Sequence, residues 1–504
     1  MVFSSTVFVF LFLPVVITGH FLLPRRWRNG WLFLASIWFY CWGEMRYFPL
    51  IVASSVLDYC CGLVISGAWR GGEIRTLEPG TPRTRAQKLA LLASLGGNLG
   101  LLAVFKYFHF LVDNWNAAAG ALGLAGVQWH PGFTIALPLG ISFYTFQTMS
   151  YTLDVYLGRT RATRHFLNYC TYVSLFPQLV AGPIVRYADV AHELQNRRVT
   201  LEHFASGAGR FTVGLAKKLL IANTVALPAD RIFAMPGDHL TPELAWLAVV
   251  CYTLQIYFDF SGYSDMAIGM GRMFGFHFLE NFNYPYASRS ITEFWRRWHM
   301  SLSTWFRDYL YIPLGGNRRG PARTYVNLIT VFFLCGLWHG AAWQFVFWGL
   351  YQGVFLCAER ALAPRLAGRR VPVVLTHAYV MLVTMVGWVF FRAENMNQAF
   401  GFLEAMAGIA PGTGLVYNVG MFADREVWLA MAVGAVGSLP VLPWLQSRVQ
   451  AWLDEQAARS GGHAVVAAET AWSAAVIAGI AVLFLLSAME LSSATHNPFI
   501  YFRF

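Results

Sequence analysis

The chain has 504 residues, 57% of them hydrophobic and only 12% charged, with mean hydropathy +0.47. Soluble domains average about 25% charged residues. A chain at half that value, carrying 41 Phe, 22 Tyr and 19 Trp, is excluded from the soluble globular class and reads as a polytopic membrane protein. The net charge of +11 lies in short loops, where the positive-inside rule accounts for it without nucleic acid as a partner.

The first apolar stretch, Val7 to Leu23, has no basic residue before it and Arg25, Arg26 and Arg28 after it. A cleavable signal has the opposite charge polarity, so a retained first helix is expected, with its N-terminus periplasmic and its arginines cytoplasmic. Apolar stretches follow near 31–43, 47–66, 89–112, 133–156, 166–182, 206–230 and 243–275, then near 325–342, 343–362, 372–392, 427–446 and 471–488. Leu137-Pro138-Leu139-Gly140 and Phe176-Pro177 interrupt two of them. Broken helices persist at membrane depth only where protein or a water-filled cavity satisfies the freed backbone. Residues 67–88 carry Arg70, Arg75, Arg83, Arg85 and Lys88, whereas 113–131 have no Lys or Arg. They read as cytoplasmic and external respectively.

Seven cysteines show no metal-ligand spacing and no disulfide framework, so no metal is expected. The expected architecture is all-α: a ring of about 11–14 transmembrane helices with re-entrant or amphipathic helices around a central tunnel. It forms one membrane-embedded domain over 1–504, with N-terminal helices at 1–132, a core at 133–400 and C-terminal helices with an aromatic tail at 401–504.

Residues 255–320 are more polar than their surroundings. Glu293, Arg296, Arg297, His299, Arg307 and Asp308 cannot all face lipid, so this block is expected to pack inside the protein near the cytoplasmic face. A helix over 291–306 would align Trp295, His299 and Ser303 on one face and pair Glu293 with Arg297. Arg296 and Arg297 suit phosphate groups through their planar donor forks, and equally suit lipid head groups or topology. Asp259 and Asp265 are either cation ligands or proton-relay groups, as in a transporter, or buried carboxylates that satisfy arginines and backbone. His339 lies thirteen residues beyond Val326. That is about 20 Å along a helix inside a core about 30 Å thick. An imidazole there either bonds a neighbouring helix or acts as a general base. Intramembrane ionisable groups usually mark a pathway or reaction centre, and two Trp-His pairs recur here: Trp298-His299 and Trp338-His339.

Three motifs together resemble the membrane-bound O-acyltransferases. They are Tyr257-Phe258-Asp259-Phe260-Ser261-Gly262 with Ile291-Thr292-Glu293-Phe294-Trp295-Arg296-Arg297-Trp298-His299; Arg307-Asp308-Tyr309-Leu310 through Gly315-Gly316-Asn317; and Gly336-Leu337-Trp338-His339-Gly340. The likeness covers most of the chain and is weakest over 400–470. It implies a bacterial inner-membrane enzyme that moves an acetyl group from a cytoplasmic donor, acetyl-coenzyme A, toward an extracytoplasmic polysaccharide such as alginate. External acetyltransferase partner proteins would finish the transfer. The resemblance assigns catalysis to His339 and His299, and substrate contacts to Trp295, Arg296, Arg297, Trp298, Ser303, Asp308, Asn317 and Trp338. The tail ending Phe499-Ile500-Tyr501-Phe502-Arg503-Phe504 resembles the aromatic C-terminal motif of a small membrane partner in teichoic-acid D-alanylation. That implies Tyr501 as an acyl relay; interfacial anchoring is the competing reading. A transporter or a scaffold subunit of a polysaccharide secretion complex is the alternative for the whole chain.

Overall fold

A computed structural model describes residues 1–78, 80–366, 368, 371–409, 417–459 and 462–493, and among them every regular element is helical. The N-terminal half supplies α1 (Phe8–Leu22), α2 (Arg28–Glu44), α3 (Phe48–Ile65), α4 (Arg85–Leu102), α5 (Phe108–Ala121), α6 (Ile141–Leu157) and α7 (Phe166–Ser174). The middle contains α8 (Leu201–Phe233), α9 (Pro242–Phe274), two short helices α10 (Ile291–Arg297) and α11 (Met300–Phe306), and the pair α12 (Pro321–His339) and α13 (Trp343–Leu366). Then come α14 (Val373–Arg392), α15 (Met396–Met406), α16 (Arg425–Gly437), α17 (Val441–Arg459) and α18 (Gly462–Ser493).

Six helical segments among the described residues are long and apolar enough to cross a membrane, or seven if α16 and α17, bent by 57°, form one broken span. Helices α1, α6, α7, α12 and α13, expected as spans, fall outside that count. Helix α6 is short and polar because it faces protein: it buries Thr145, Gln147, Thr148, Ser150, Thr152 and Asp154. The layering follows from the same logic. Helix α9 has 89% of its apolar window buried, whereas the window in α18 is 6% buried and forms part of the outer wall. The most hydrophobic helix is therefore the one facing outward, as expected where lipid replaces water.

Close packing at the centre rests on small residues. A Cβ on Gly262 or Gly269 of α9 would strike the backbone carbonyl of Gly214 or Gly207 of α8, and the reverse also holds. Two glycines seven residues apart on each helix thus form one seam, the small-residue packing that replaces a hydrophobic driving force inside a bilayer.

Polar ties flank that seam. Asp265 pairs with Arg210 at 2.9 Å and Lys217 at 2.7 Å, and Asp259 pairs with the buried Lys218 at 2.8 Å. Both carboxylates are thus structural ion-pair partners. In the N-terminal half, Asp58 of α3 accepts from Ser94 and from Asn98 Nδ2 (2.7 Å) of α4. Asn98 Oδ1 in turn accepts from Ser54 (2.8 Å) and from Thr148 of α6 (3.1 Å).

Gly262→Ala should cost about 1–3 kcal/mol of stability, because its methyl group meets backbone that cannot rotate away. Gly479→Ala on α18, with open space around it, should leave stability unchanged. Thermal unfolding of the detergent-solubilised variants measures the contrast.

Candidate active site

His339 is the last residue of α12, and its position is set by how that helix ends. The terminal carbonyls of a helix have no intrahelical donors. Here Tyr107 Oη donates to the Leu337 carbonyl at 2.8 Å, while Lys106 Nζ donates to the carbonyls of Trp338 and His339, the latter at 3.3 Å. Both donors belong to a single π-helical turn, Ala103–Tyr107, between α4 and α5. Such turns often mark functional positions. Beyond the helix, Gly340 leaves room for the Phe345 ring, and Gly336 lies against the Phe345 carbonyl and Gly349 of α13.

Three aromatic rings meet the imidazole nearly edge-on: Trp338 at 4.9 Å, Trp348 at 5.1 Å and Phe391 at 5.1 Å. His339 is 4% exposed, and its Nδ1 is buried without a hydrogen-bond partner. A cavity of about 140 Å³ reaches it, lined also by Trp338, Lys106, Ser142, Glu44 and the Leu137–Gly140 turn. The proline-glycine interruption seen in the sequence therefore forms one wall of the space beside His339.

His299 is reached differently. No continuous helix runs over 291–306. Helix α10 ends at Arg297, α11 starts at Met300, and His299 between them has a left-handed backbone (φ 43°). The extended segment 281–283 takes over the backbone bonding. Asn283 N donates to the Arg297 carbonyl and Met300 N to the Asn281 carbonyl, both at 2.9 Å. Trp295, His299 and Ser303 accordingly do not share one helical face.

The Asn281 side chain completes the latch. Its Oδ1 accepts from Ser301 N at 3.2 Å and Ser301 Oγ at 3.0 Å, and lies 3.1 Å from His299 Nδ1. The obligate backbone donor of Ser301 fixes the orientation of the amide, and an amide oxygen only accepts. Nδ1 therefore carries the hydrogen, and Nε2, buried and without a partner, keeps a free lone pair. The Phe260 ring lies edge-on at 4.6 Å, and the Trp338 ring lies 6.0 Å away. One indole, Trp338, thus touches both imidazole environments.

The remaining residues named from the sequence divide. Trp295 donates from Nε1 to Gln352 at 3.2 Å and packs on Trp348, while Trp298 stacks on Phe294 in an aromatic cluster with Trp388. These wall the histidine region. Ser303 bonds locally to the Trp298 carbonyl at 3.4 Å. Arg297 pairs with Glu293 at 2.7 Å, as the i,i+4 spacing predicts, and Arg296 is exposed. Asp308 pairs with Arg186 at 2.8 Å and Arg307 at 2.7 Å. Burial opposes ionisation of Asp308, but hydrogen bonds from Arg307 and Arg186 outweigh it and hold the carboxyl below its usual value. Asn317 is exposed in the loop before α12, next to Gly316, whose carbonyl accepts from Asn327 Nδ2 at 2.9 Å; the helix from Asn327 to His339, about 18 Å, separates that loop from the histidine. Asn317 is not brought to the site. Tyr501 lies outside the described residues. No group of three or more metal-ligating side chains occurs among the described residues.

Lys106 and Asn281 were not singled out from the sequence. Lys106 carried a signal, as a lone cation within the apolar stretch 89–112. The role of Asn281 depends on a backbone pairing that no periodicity reports.

Comparison with known proteins adds three findings. The family model described as MBOAT, membrane-bound O-acyltransferase family, matches residues 159–391, a range that contains both histidines. Over the full length of both chains, the sequence is 41% identical to the probable alginate O-acetylase AlgI of Azotobacter vinelandii. It is 36% identical to the peptidoglycan O-acetyltransferase of Helicobacter pylori, over 81% of this chain and 80% of that one. A teichoic acid D-alanyltransferase of Bacillus subtilis is 30% identical over 45% of this chain and 60% of its own.

Asn281→Ala should leave the Ser301 and His299 donors buried and unsatisfied, costing about 1–3 kcal/mol. Thermal unfolding of the full-length chain in detergent reads that loss.

Proposed function

The chain belongs to the membrane-bound O-acyltransferase family, and from that premise we propose that it acetylates an extracytoplasmic polysaccharide, alginate, with acetyl-coenzyme A as donor. It is an O-acyltransferase and a multi-pass membrane protein. Alginate is favoured as acceptor by the full-length likeness to proteins named for alginate O-acetylation. The inner membrane is the location this reading requires, with Met1 and Glu44 on the periplasmic face and the arginine-rich loop 67–88 in the cytoplasm.

His339 is the general base. The single observation that carries this is a buried imidazole whose Nδ1 has no hydrogen-bond partner, on a residue that lines a cavity shared with Glu44, Lys106 and Ser142. An imidazole nitrogen with no internal hydrogen bond can take the proton of an acceptor hydroxyl as that oxygen attacks the acyl carbonyl, and then return it to the leaving group. Trp348, Phe391 and Trp338 limit water around it, which protects the acyl group from hydrolysis. His299, with its Nε2 lone pair held free by Asn281, acts on the donor side of Trp338. Arg296, exposed, and Arg297 seat the donor's phosphates, so its charged portion need not enter the bilayer. Extracytoplasmic acetyltransferase proteins are the expected partners, and Tyr501 relays the acetyl group to them.

His339→Ala should lower polymer O-acetylation by at least about 100-fold while polymer export continues. Polymer export and O-acetyl content, measured in the same cells, give both readouts. Lost export with retained acetylation would instead identify a transporter or scaffold. Tyr501→Phe removes one hydroxyl and should abolish transfer to external partners; full polymer acetylation by that variant would end the relay assignment.

A further inference from the structure

Helix α6 opens on the same cavity as His339, and its N-terminus is bare. Its N-cap, Gly140, has φ 74° and supplies no capping side chain. A Cβ at that position would meet the Leu179 carbonyl, so glycine is required by both backbone and space. In the first turn, Ile141 N donates to the Pro138 carbonyl at 3.2 Å, and the N–H groups of Phe143 and Tyr144 donate to Gly140 O at 2.9 and 3.0 Å. Ser142 N has no acceptor among the described residues.

The Ser142 side chain is also directed. Lys106 Nζ donates to Ser142 Oγ at 3.0 Å as well as to the carbonyls of Trp338 and His339. Three acceptors match the three N–H bonds of an ammonium, and the C-terminal carbonyls of α12 favour a cation there. With its oxygen accepting from Lys106, Ser142 has its own O–H free to donate. Two further observations mark this space as built for a ligand. His339 Nδ1 and Trp338 Nε1 are buried without partners, each on a side chain 4% exposed, and both residues line the cavity with Ser142 and Lys106.

We propose that Ser142, through its hydroxyl and backbone N–H, forms the oxyanion hole of the acyl transfer, with Lys106 as the residue that positions it against His339. This rests on the general-base reading of His339. The acceptor hydroxyl loses its proton to His339 as its oxygen bonds to the acyl carbon. The carbonyl π pair moves onto oxygen, which takes hydrogen bonds from Ser142. Collapse of the tetrahedral species breaks the bond to the leaving group, which takes the proton back from His339. Donors aimed at a charge that exists only in the transition state raise the turnover rate without tightening ground-state binding. Lys106 links the two halves of the site: two hydrogen bonds through one nitrogen set the Ser142 oxygen relative to the carbonyl of His339.

The test uses membrane vesicles from cells producing the polymer, containing the full-length chain and supplied with radiolabelled acetyl-coenzyme A. Ser142→Ala should lower the saturating rate of polymer acetylation about 100-fold with the half-saturating donor concentration unchanged, and Ser142→Thr should restore most of it. Lys106→Met should lower the saturating rate as well, with the protein still accumulating in the membrane. If Ser142→Ala fails to accumulate, Ser142→Cys, similar in volume but a weak donor, takes its place with the same expectation. A rate within about threefold of the unaltered chain overturns the assignment, since one oxyanion donor is worth far more. So does a raised half-saturation with an unchanged rate. His339→Ala in the same vesicles separates the two levels. Activity lost there but retained in Ser142→Ala removes the oxyanion hole alone, whereas activity retained in His339→Ala removes the general base beneath it.

Discussion

A helix that ends inside a membrane protein must find donors for its last carbonyls, and the site depends on how α12 solves this. In water the ends of helices are hydrated; in hydrocarbon each unsatisfied group costs several kcal/mol (about the price of an unpaired amide in an apolar medium). Helix α12 stops at His339, and Tyr107 and Lys106 hold its final three carbonyls. Because the donors come from one turn between α4 and α5, the N-terminal helices fix the depth of a histidine in the central block. The solution that stabilises the helix end also brings a cation to the cavity wall.

The second histidine is set by the complementary device. Where α10 and α11 break, their orphan groups are paired by the segment 281–283, and the Asn281 side chain gathers Ser301 and His299 onto a single oxygen. A continuous helix would have directed the imidazole by its own periodicity. The break lets tertiary pairing place it instead, edge-on to Phe260 and 6.0 Å from the Trp338 ring. Both imidazoles are held so that one nitrogen remains without an internal partner. That is costly for a purely structural group and useful for one that exchanges a proton.

Much of this was legible from the residues. Low charge and long apolar stretches gave a helical membrane protein, and two Trp-His pairs in an otherwise lipid-adapted chain marked the centre. Burial with a charge partner was one of the two readings open for Asp259 and Asp265, and the Glu293–Arg297 pair followed from spacing alone. The illegible parts share a cause. Helical periodicity assumes that backbone bonds stay within the helix, so it misplaced His299, whose neighbours bond to a segment about twenty residues away in sequence. Asn317 belonged to a specific motif, yet a motif compresses residues that the fold then separates: its loop folds back onto Asn327, about 18 Å along α12 from His339. Lys106 was visible as a cation among apolar residues, but its partner is a helix end more than two hundred residues later.

These features explain why the inner helices are less apolar than the outer ones. A chemical site within a bilayer needs polar groups at depth, and those groups need partners, so polarity accumulates on helices shielded from lipid: the buried Thr, Gln and Ser of α6, Asn98 with Asp58, and Lys218 with Asp259. The outer wall then has to carry the hydrophobicity that the interior gives up. Close helix packing becomes a matter of glycine seams such as Gly207–Gly214 against Gly262–Gly269 and Gly336 against Gly349, because removing apolar surface from lipid supplies little driving force. Such seams are stiff. A stiff frame is what a pair of histidines held by single hydrogen bonds and helix ends requires, since a displacement of about 1 Å can cost two orders of magnitude in rate.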